Sequence, residues 1–162
     1  MAAKDVILVG ALIFTFGLGF FIIHFVMGNV VTNIISVPEI NSSQDAVDAF
    51  TSINTLSNKL DYVFLALFTG LIIGLIVTAW FIGGHPVFMA IYFLVIVIAV
   101  ILSVILSNVW FDVTDMVLFG TTLSHFTIMN HILLKLPIYI AVTGIIGMIA
   151  MFAKPAIMGG NE

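Results

Sequence analysis

Residues 61–112 of the chain read DYVFLALFTGLIIGLIVTAWFIGGHPVFMAIYFLVIVIAVILSVILSNVWFD. Between Asp61 and Asp112 there are fifty consecutive residues without a formal charge. One helical crossing of a hydrocarbon core of about 30 Å needs about 20 apolar residues, so two crossings fit into this run. Gly83-Gly84-His85-Pro86 divides the run, because paired glycines end one helix and proline suits the first turn of the next. The sequence therefore predicts a transmembrane hairpin with spans at 62–82 and 87–106.

Two further apolar segments lie outside this hairpin. The first covers residues 6–27 and is longer than the apolar part of a secretory signal peptide, which favours a membrane span over a signal. The last covers residues 136–152, which is close to the lower length limit of about 17 residues for a spanning helix. The sequence thus predicts an all-α integral membrane helical bundle of about four transmembrane helices. Residues 1–162 form a single membrane domain in this prediction.

The composition supports the membrane class. Hydrophobic residues make up 62% of the chain and charged residues only 7%, whereas soluble domains carry about 25% charged residues. So few charges cannot coat a soluble domain, and the lipid bilayer or a partner protein must cover the surface.

The net charge of -4, with only four Lys and Arg residues in total, argues against nucleic-acid binding, which needs clustered cations. Cysteine is absent, which excludes disulfides and Cys-ligated metal.

The loop after the first span develops into an amphipathic helix that runs into the second span. Apolar side chains recur at intervals of three and four from Ala46 to Leu67, and neither Gly nor Pro occurs between Ser43 and Phe68. This pattern predicts one long helix over residues 43–82, of which 43–61 project well beyond the bilayer. Such a helix must bury its stripe against another part of this chain, a second copy or a different protein. The candidate interaction residues on this stripe are Phe50, Ile53, Leu56 and Leu60.

The loop between the third and fourth spans also shows helical spacing. Residues 112–134 are predicted to form a helix or two outside the bilayer, which could pack on the projecting part of the long helix, with Phe119, Leu123 and Phe126 as candidate interaction residues. Asp112 and Asp115 could share one helical face, although capping a helix where the chain leaves the membrane is the favoured role. The two histidines of this loop, His125 and His131, do not have the i, i+4 spacing of a helical zinc motif. Interfacial polar residues are the favoured interpretation of this pair over metal ligands.

Four glycines are candidate helix-packing positions. Gly70 and Gly74 form a G-x-x-x-G step in the second span, and Gly144 and Gly147 lie in the fourth. Small residues let neighbouring backbones approach closely, which promotes helix association once lipid removes the hydrophobic drive. Glycine is also generally more frequent in membrane helices, and this alternative explains the same residues without a packing role.

The sequence contains no pattern of an active site. No Asp, Glu, Lys or Arg lies inside a predicted span, whereas proton relays and ion-coupled carriers depend on such residues. Neither a G-x-S-x-G nor an H-E-x-x-H motif occurs, and no glycine-rich phosphate loop is present. We therefore expect a protein that is not an enzyme and that has no catalytic, cofactor-binding or metal-binding residues.

The hairpin carries a resemblance to a known group of proteins. Residues 80–88 (WFIGGHPVF), Ser107-Asn108 at the end of the third span and Leu136-Pro137 at the start of the fourth resemble a pattern in small virion membrane proteins. These proteins belong to tailless icosahedral viruses with an internal membrane, the corticovirus-like and related double-jelly-roll group. The resemblance covers about residues 60–152. It implies that many copies populate the internal membrane of a virion, curve it and present loops to the capsid or to partner membrane proteins.

Two hypotheses of function result. The first is a structural membrane protein of a virion, which organises the internal membrane as a homo- or hetero-oligomer and contacts other membrane or capsid proteins. The alternative is a pore-forming or holin-like permeability protein in a virion, host or cell membrane. A pore needs a polar stripe along a span, and the residues available for it are Ser103 and Ser107 in the third span and Thr69 and Thr78 in the second.

Overall fold

The computed structural model describes residues 2–81 and 86–158, and nearly all of them are helical. The helices are α1 (Ala2–Ile35), α2 (Pro38–Asn41), α3 (Gln44–Ser57), α4 (Leu60–Phe81), α5 (Pro86–Thr114), α6 (Gly120–Leu123), α7 (Thr127–Leu134) and α8 (Leu136–Met158), with a 3-10 turn at Val117–Phe119. No β-strand occurs in these two ranges. The predicted all-α fold is confirmed. The predicted turn at Gly83-Gly84-His85 lies outside the described residues.

The first helix is longer than the predicted first span. It continues beyond Met27 to Ile35 and contains 34 residues. No proline interrupts it, and it ends shortly before Pro38, whose ring clashes with the preceding turn and cannot continue a helix. At 1.5 Å per residue α1 is about 51 Å long, which exceeds the hydrocarbon thickness of a bilayer.

The long helix predicted over residues 43–82 is present as α3 followed by α4. A short turn at Asn58 and Lys59 separates the two, and Gln44–Phe81 forms one helical path of 38 residues. The amide of Asn58 still donates to the carbonyl of Asn54 at 3.1 Å, which keeps a helical bond across the junction. This path is about 57 Å long at 1.5 Å per residue.

The third long helix is longer than predicted, and the segment after it packs back on the bundle. α5 extends to Thr114 rather than ending at residue 106, because neither Gly nor Pro occurs over its last turns. After the 3-10 turn the chain bends by 116° between Val117–Leu123 and Thr127–Leu134. This bend returns α7 to the bundle, so that residues expected to lie outside the bilayer pack against the chain's own helices.

The four long helices form one bundle in which α1 and α5 run in one direction and α4 and α8 in the other. Close contacts define the arrangement: a Cβ on Gly17 would lie 3.2 Å from Phe64 of α4, and one on Gly10 would lie 3.4 Å from Ile140 of α8. Phe21 of α1 packs against Trp110 of α5 with ring centroids 5.1 Å apart. The buried core between the helices includes Val6, Ile13, Phe21, Phe64, Ala79, Ile96, Trp110, Met129, Leu133, Leu136 and Ile140.

Three helical stretches in the described parts of the chain are long and apolar enough to cross a membrane: Lys4–Ile35, Gln44–Phe81 and Ala90–Thr114. The apolar stretch Leu136–Met151 of α8 is shorter, yet it runs alongside α5 with Gly144 against Ile96. The chain is therefore an integral membrane helical bundle with three to four spanning helices.

One end of this bundle carries the short helices and the turns that connect the long helices. From Pro86 to Asn108, α5 rises about 33 Å at 1.5 Å per residue, which already covers a hydrocarbon core of about 30 Å. Phe21 lies beside Trp110, two residues past Asn108. We call this end of the bundle, residues 21–57 together with 115–126, the head. Charged residues near its base are Lys59, Asp61, Asp112 and Lys135.

Candidate functional site

A buried carboxylate at the base of the head holds the start of α7. The Asp61 side chain of α4 is only 6% exposed. Its Oδ2 accepts the N–H of Ile128 at 3.0 Å and its Oδ1 accepts the N–H of Met129 at 2.7 Å. The first amides of a helix have no partner within the helix, so Asp61 supplies from another helix the acceptor that an N-cap residue normally supplies locally. A negative group is also favoured at this end of the helix dipole.

Two further hydrogen bonds hold α7 against α5. The indole Nε1–H of Trp110 donates to Asn130 Oδ1 at 2.9 Å in the middle of α7. The Ser107 hydroxyl donates to the carbonyl of Leu134 at 2.8 Å where α7 ends. Together with Asp61, these bonds attach the beginning, middle and end of α7 to two different helices. We call this arrangement the α7 clamp.

Aromatic side chains connect the α7 clamp to the head. The Phe21 ring centroid lies 5.1 Å from Trp110, 5.2 Å from Phe119 and 5.7 Å from Phe126. Edge and tilted contacts at these distances are the favourable geometries for aromatic pairs. The cluster therefore joins α1, α5 and the segment before α7 into one packed base.

Replacing Trp110 by phenylalanine is expected to lower the free energy of unfolding by about 1–2 kcal/mol. The change removes the indole donor and leaves the Asn130 carbonyl oxygen without its partner. The measurement is unfolding by SDS in mixed micelles, followed by circular dichroism. Trp80→Phe is the matched control because Trp80 is exposed on α4. An equal loss in both variants would contradict the contribution of this hydrogen bond.

A pair of histidines lies above the clamp. His24 of α1 is only 6% exposed, and its Nδ1 forms a hydrogen bond of 2.8 Å with the Ser57 hydroxyl of α3. The His24 ring centroid lies 5.1 Å from that of His125 and also 5.1 Å from that of Phe126. These contacts join α1, α3 and the α6–α7 segment. The Nδ1 bond to Ser57 leaves Nε2 as the ring nitrogen of His24 that is available to another group.

The same histidines border a polar cavity of about 380 Å³, which we call the head cavity. It lies between α1, α3 and the segment around α6. The lining contains no Asp, Glu, Lys or Arg. Its residues are His24, Phe25, Gly28, Asn29, Thr32, Asn54, Asn58, Leu118, Thr121, Thr122 and His125.

The opposite side of the head carries exposed apolar side chains. Leu56 is 70% exposed, and it lies two residues from both Asn54 and Asn58 of the head cavity. Two residues correspond to about 200° around a helix, so Leu56 lies on the far side of α3. On α1, Ile23 lies two residues before the cavity residue Phe25, so it too faces away from the cavity. The exposed residues on this side, which we call the apolar flank, are Ile23, Val30, Ile53 and Leu56.

The interaction candidates on the long helix fall into two groups. Ile53 and Leu56 are exposed, whereas Phe50 and Leu60 are half-buried. The predicted stripe could continue through Leu56 or Ser57, and the structure places Ser57 inward and Leu56 outward. Ser57 faces inward because it shares a helix face with Asp61 and Phe64, at spacings of four and three.

The interaction candidates before α7 require a correction. Phe126 is fully buried in the core, and Phe119 and Leu123 are half-buried against that core. The 116° bend folds these side chains back onto the bundle, so they stabilise the chain itself and do not form a free stripe. The predicted capping role of Asp112 is also wrong, because it lies in the last turn of α5 rather than at a helix N-terminus.

The candidate packing glycines also separate into two groups. Gly144 and Gly147 are buried in α8, where an added Cβ would lie 2.9 Å from Ile96 and 2.6 Å from the Tyr92 hydroxyl. Gly70 and Gly74 are exposed on α4, and no atom of the described chain lies within 4 Å of the Cβ position of either. Within the chain, therefore, Gly70 and Gly74 mark no close-packing face, because α4 turns its other side to α1 and α8.

The hydroxyls considered for a pore do not line a common path. Ser103 and Ser107 are buried, while Thr69 and Thr78 are exposed on another helix. All four donate to backbone carbonyls: Val100 and Leu134 for the serines, and Leu65 and Gly74 for the threonines. Their donors are thus already used within the protein.

Sequence reasoning missed Asp61, Ser57 and His24 as a connected site. The sequence contains one hint of this site: Ser57 and Asp61 are polar residues on the inward face of the long helix, where apolar residues are expected. A polar side chain on such a face needs a partner.

Over residues 4–81 and 90–151, no group of three or more His, Cys, Asp or Glu side chains is arranged to hold a metal ion. His125 contacts His24 rather than forming a pair with His131.

Neither a protein-family model, nor a curated protein sequence, nor a solved structure matches this chain. The class of the protein follows from the fold itself: it is an integral membrane helical bundle with a clamped short helix and a head of short helices at one end.

Proposed function

We propose that this chain is a structural membrane protein that associates with other proteins of its membrane through the apolar flank of the head. The observation that carries the proposal is the exposure of Ile53 and Leu56 on α3. Both precede Lys59 and Asp61, the charged residues at which the uncharged run 62–111 begins. We place the hydrocarbon at that uncharged run, and a protein partner rather than lipid tails then covers Ile53 and Leu56.

The rest of the head supports a structural role. The aromatic cluster packs head residues Phe21, Phe119 and Phe126 together and against Trp110 of α5. The α7 clamp holds the helix that follows residue 126 to α4 and α5. A rigidly attached head holds its surface at a constant height above the membrane, which suits a component of a regular assembly. The hydroxyls that a pore would require are bonded to backbone carbonyls, and this favours the structural proposal over a holin-like pore.

The particular membrane is a further part of the proposal. The resemblance of residues 80–88 to small membrane proteins of tailless icosahedral viruses points to the internal membrane of a virion. In that setting the head would contact the capsid or a partner membrane protein, and repeated copies would organise the membrane beneath the shell.

The test is the size of the assembly that contains the chain after mild extraction from its native membrane. Wild-type protein is expected in an assembly of fixed stoichiometry. Leu56→Glu is expected to shift at least about tenfold more of the chain into the monomer fraction, because a charge in an apolar interface loses its hydration. The measurement is native mass spectrometry or light scattering in detergent.

Thr51→Glu is the matched control, because Thr51 is exposed on the same helix and lies about 140° away from Leu56 around its axis. The control variant should assemble like the wild type. A monomeric wild-type extract, or an unchanged assembly in Leu56→Glu, would refute the proposal. Selective ion flux through the purified protein in liposomes would favour the pore instead.

A further inference from the structure

The head cavity contains more hydrogen-bonding capacity than the protein itself uses. Asn29 and Thr32 donate to carbonyls of their own helix. In contrast, the side chains of Asn54, Asn58 and Thr122 form no hydrogen bond with any described residue. The free donors and acceptors of one wall therefore face the space between α1, α3 and α6.

Two of the polar lining residues are deeply buried. Thr122 and His24 are each 6% exposed, and both border the head cavity. Neither the Thr122 hydroxyl nor the Nε2 atom of His24 is among the described side-chain atoms that are enclosed without a partner. Both residues border the cavity, so water or a ligand in it can reach these two atoms.

The chemistry of the lining selects the class of ligand. No Asp, Glu, Lys or Arg lines the cavity, so no fixed charge balances an ionised ligand. Amides and hydroxyls both donate and accept, which matches the hydroxyl groups of a sugar or polyol. Phe25 and Leu118 add an apolar surface suited to the C–H face of a sugar ring.

We propose that the head cavity binds a neutral polyhydroxyl group, with the sugar headgroup of a lipid in the adjoining leaflet as its source. The cavity volume of about 380 Å³ is sufficient for a monosaccharide. His24 lies beside Ser57, only two residues before Lys59 at the base of the head. Lys59 and Asp61 precede the uncharged run 62–111, and with the hydrocarbon at that run the cavity lies in the headgroup region, which extends several ångströms beyond the hydrocarbon on each side.

The experiment measures binding of glucosyl-diacylglycerol to the full chain in nanodiscs by native mass spectrometry. Free maltose is titrated separately, and phosphatidic acid serves as an anionic lipid without a sugar. We expect saturable binding of one glycolipid per chain and no comparable binding of phosphatidic acid. Saturable binding of maltose would show that the cavity recognises a polyol, and would identify a free sugar rather than a lipid headgroup as its ligand.

Thr122→Val is expected to weaken glycolipid binding about threefold to tenfold, the range for loss of one hydrogen bond. The matched control is Thr55→Val, because the Thr55 hydroxyl lies outside the cavity and donates to the Thr51 carbonyl. Asn58→Leu, at an exposed position, is a second cavity variant if Thr122→Val loses helicity. Failure of both polyol probes to saturate, stronger binding of phosphatidic acid, or equal affinity in all variants would overturn the proposal.

Discussion

Replacing Asp61 by alanine is expected to lower the free energy of unfolding by about 2–4 kcal/mol. The change removes the acceptor of two backbone amides, those of Ile128 and Met129. Both amides belong to the first turn of α7, where no helical carbonyl can replace the carboxylate. The site is buried, so water compensates poorly for the lost partner.

The measurement is SDS-induced unfolding in mixed micelles, together with hydrogen exchange at Ile128 and Met129. Asp61→Asn should have a smaller effect, because one side-chain oxygen remains as an acceptor. Asp115→Asn is the surface control, since Asp115 is exposed and forms no side-chain hydrogen bond with a described residue. Stability equal to wild type in Asp61→Ala would show that α7 does not depend on the α7 clamp.

Replacing Gly144 by alanine is expected to destabilise the bundle by about 1–3 kcal/mol, the usual cost of overpacking. The new Cβ would lie 2.9 Å from two carbon atoms of Ile96. Ile96 is β-branched and buried in α5, so its side chain has few rotamers with which to move away. The two helices would have to separate along part of their length.

Gly74→Ala is the matched control on another spanning helix, and its effect has the opposite sign. No atom of the described chain lies within 4 Å of the Cβ position of Gly74, and alanine favours a helix over glycine by up to about 1 kcal/mol. The chain should therefore be equally or slightly more stable. Both variants are measured by the same unfolding titration. A loss of stability in Gly74→Ala together with loss of oligomer would instead show that the G-x-x-x-G step packs against another copy.

The head presents two surfaces with different chemistry. The apolar flank is suited to a protein partner, whereas the head cavity is suited to a polyol. Because the two lie on opposite sides of α1 and α3, a partner on the flank leaves the cavity accessible. The Leu56→Glu and Thr122→Val variants therefore test the two proposals independently.

Much of the fold is predictable from hydropathy and helix breakers. The uncharged run between Asp61 and Asp112 is long enough for two crossings, and the absence of Gly and Pro after Ser43 is sufficient for the long helix. The helices α1 and α5 continue beyond the predicted spans 6–27 and 87–106, because the end of an apolar run is not the end of a helix. Helical hydrogen bonding continues through Thr, Asn and Asp until a proline or a turn intervenes.

The candidate site was much less predictable. Phe119, Leu123 and Phe126 have the spacing of a helical stripe, yet a 116° bend returns them to the core. Spacing along the chain reports which residues share a face of a straight helix, and it contains no information about a bend between two short ones. Asp61 shows the same limit, because its partners, Ile128 and Met129, are distant in the sequence.

The sequence by itself determined that this protein belongs to the membrane class, that its backbone is helical and that one helical path is longer than a bilayer is thick. These properties depend on local quantities, namely hydropathy, charge and the positions of Gly and Pro. Only the tertiary structure decided which glycines pack, which face of α3 is covered and where the carboxylate of Asp61 binds. Those outcomes depend on which helices are neighbours and at what height, and the distances between atoms of separate helices are not encoded in any local pattern.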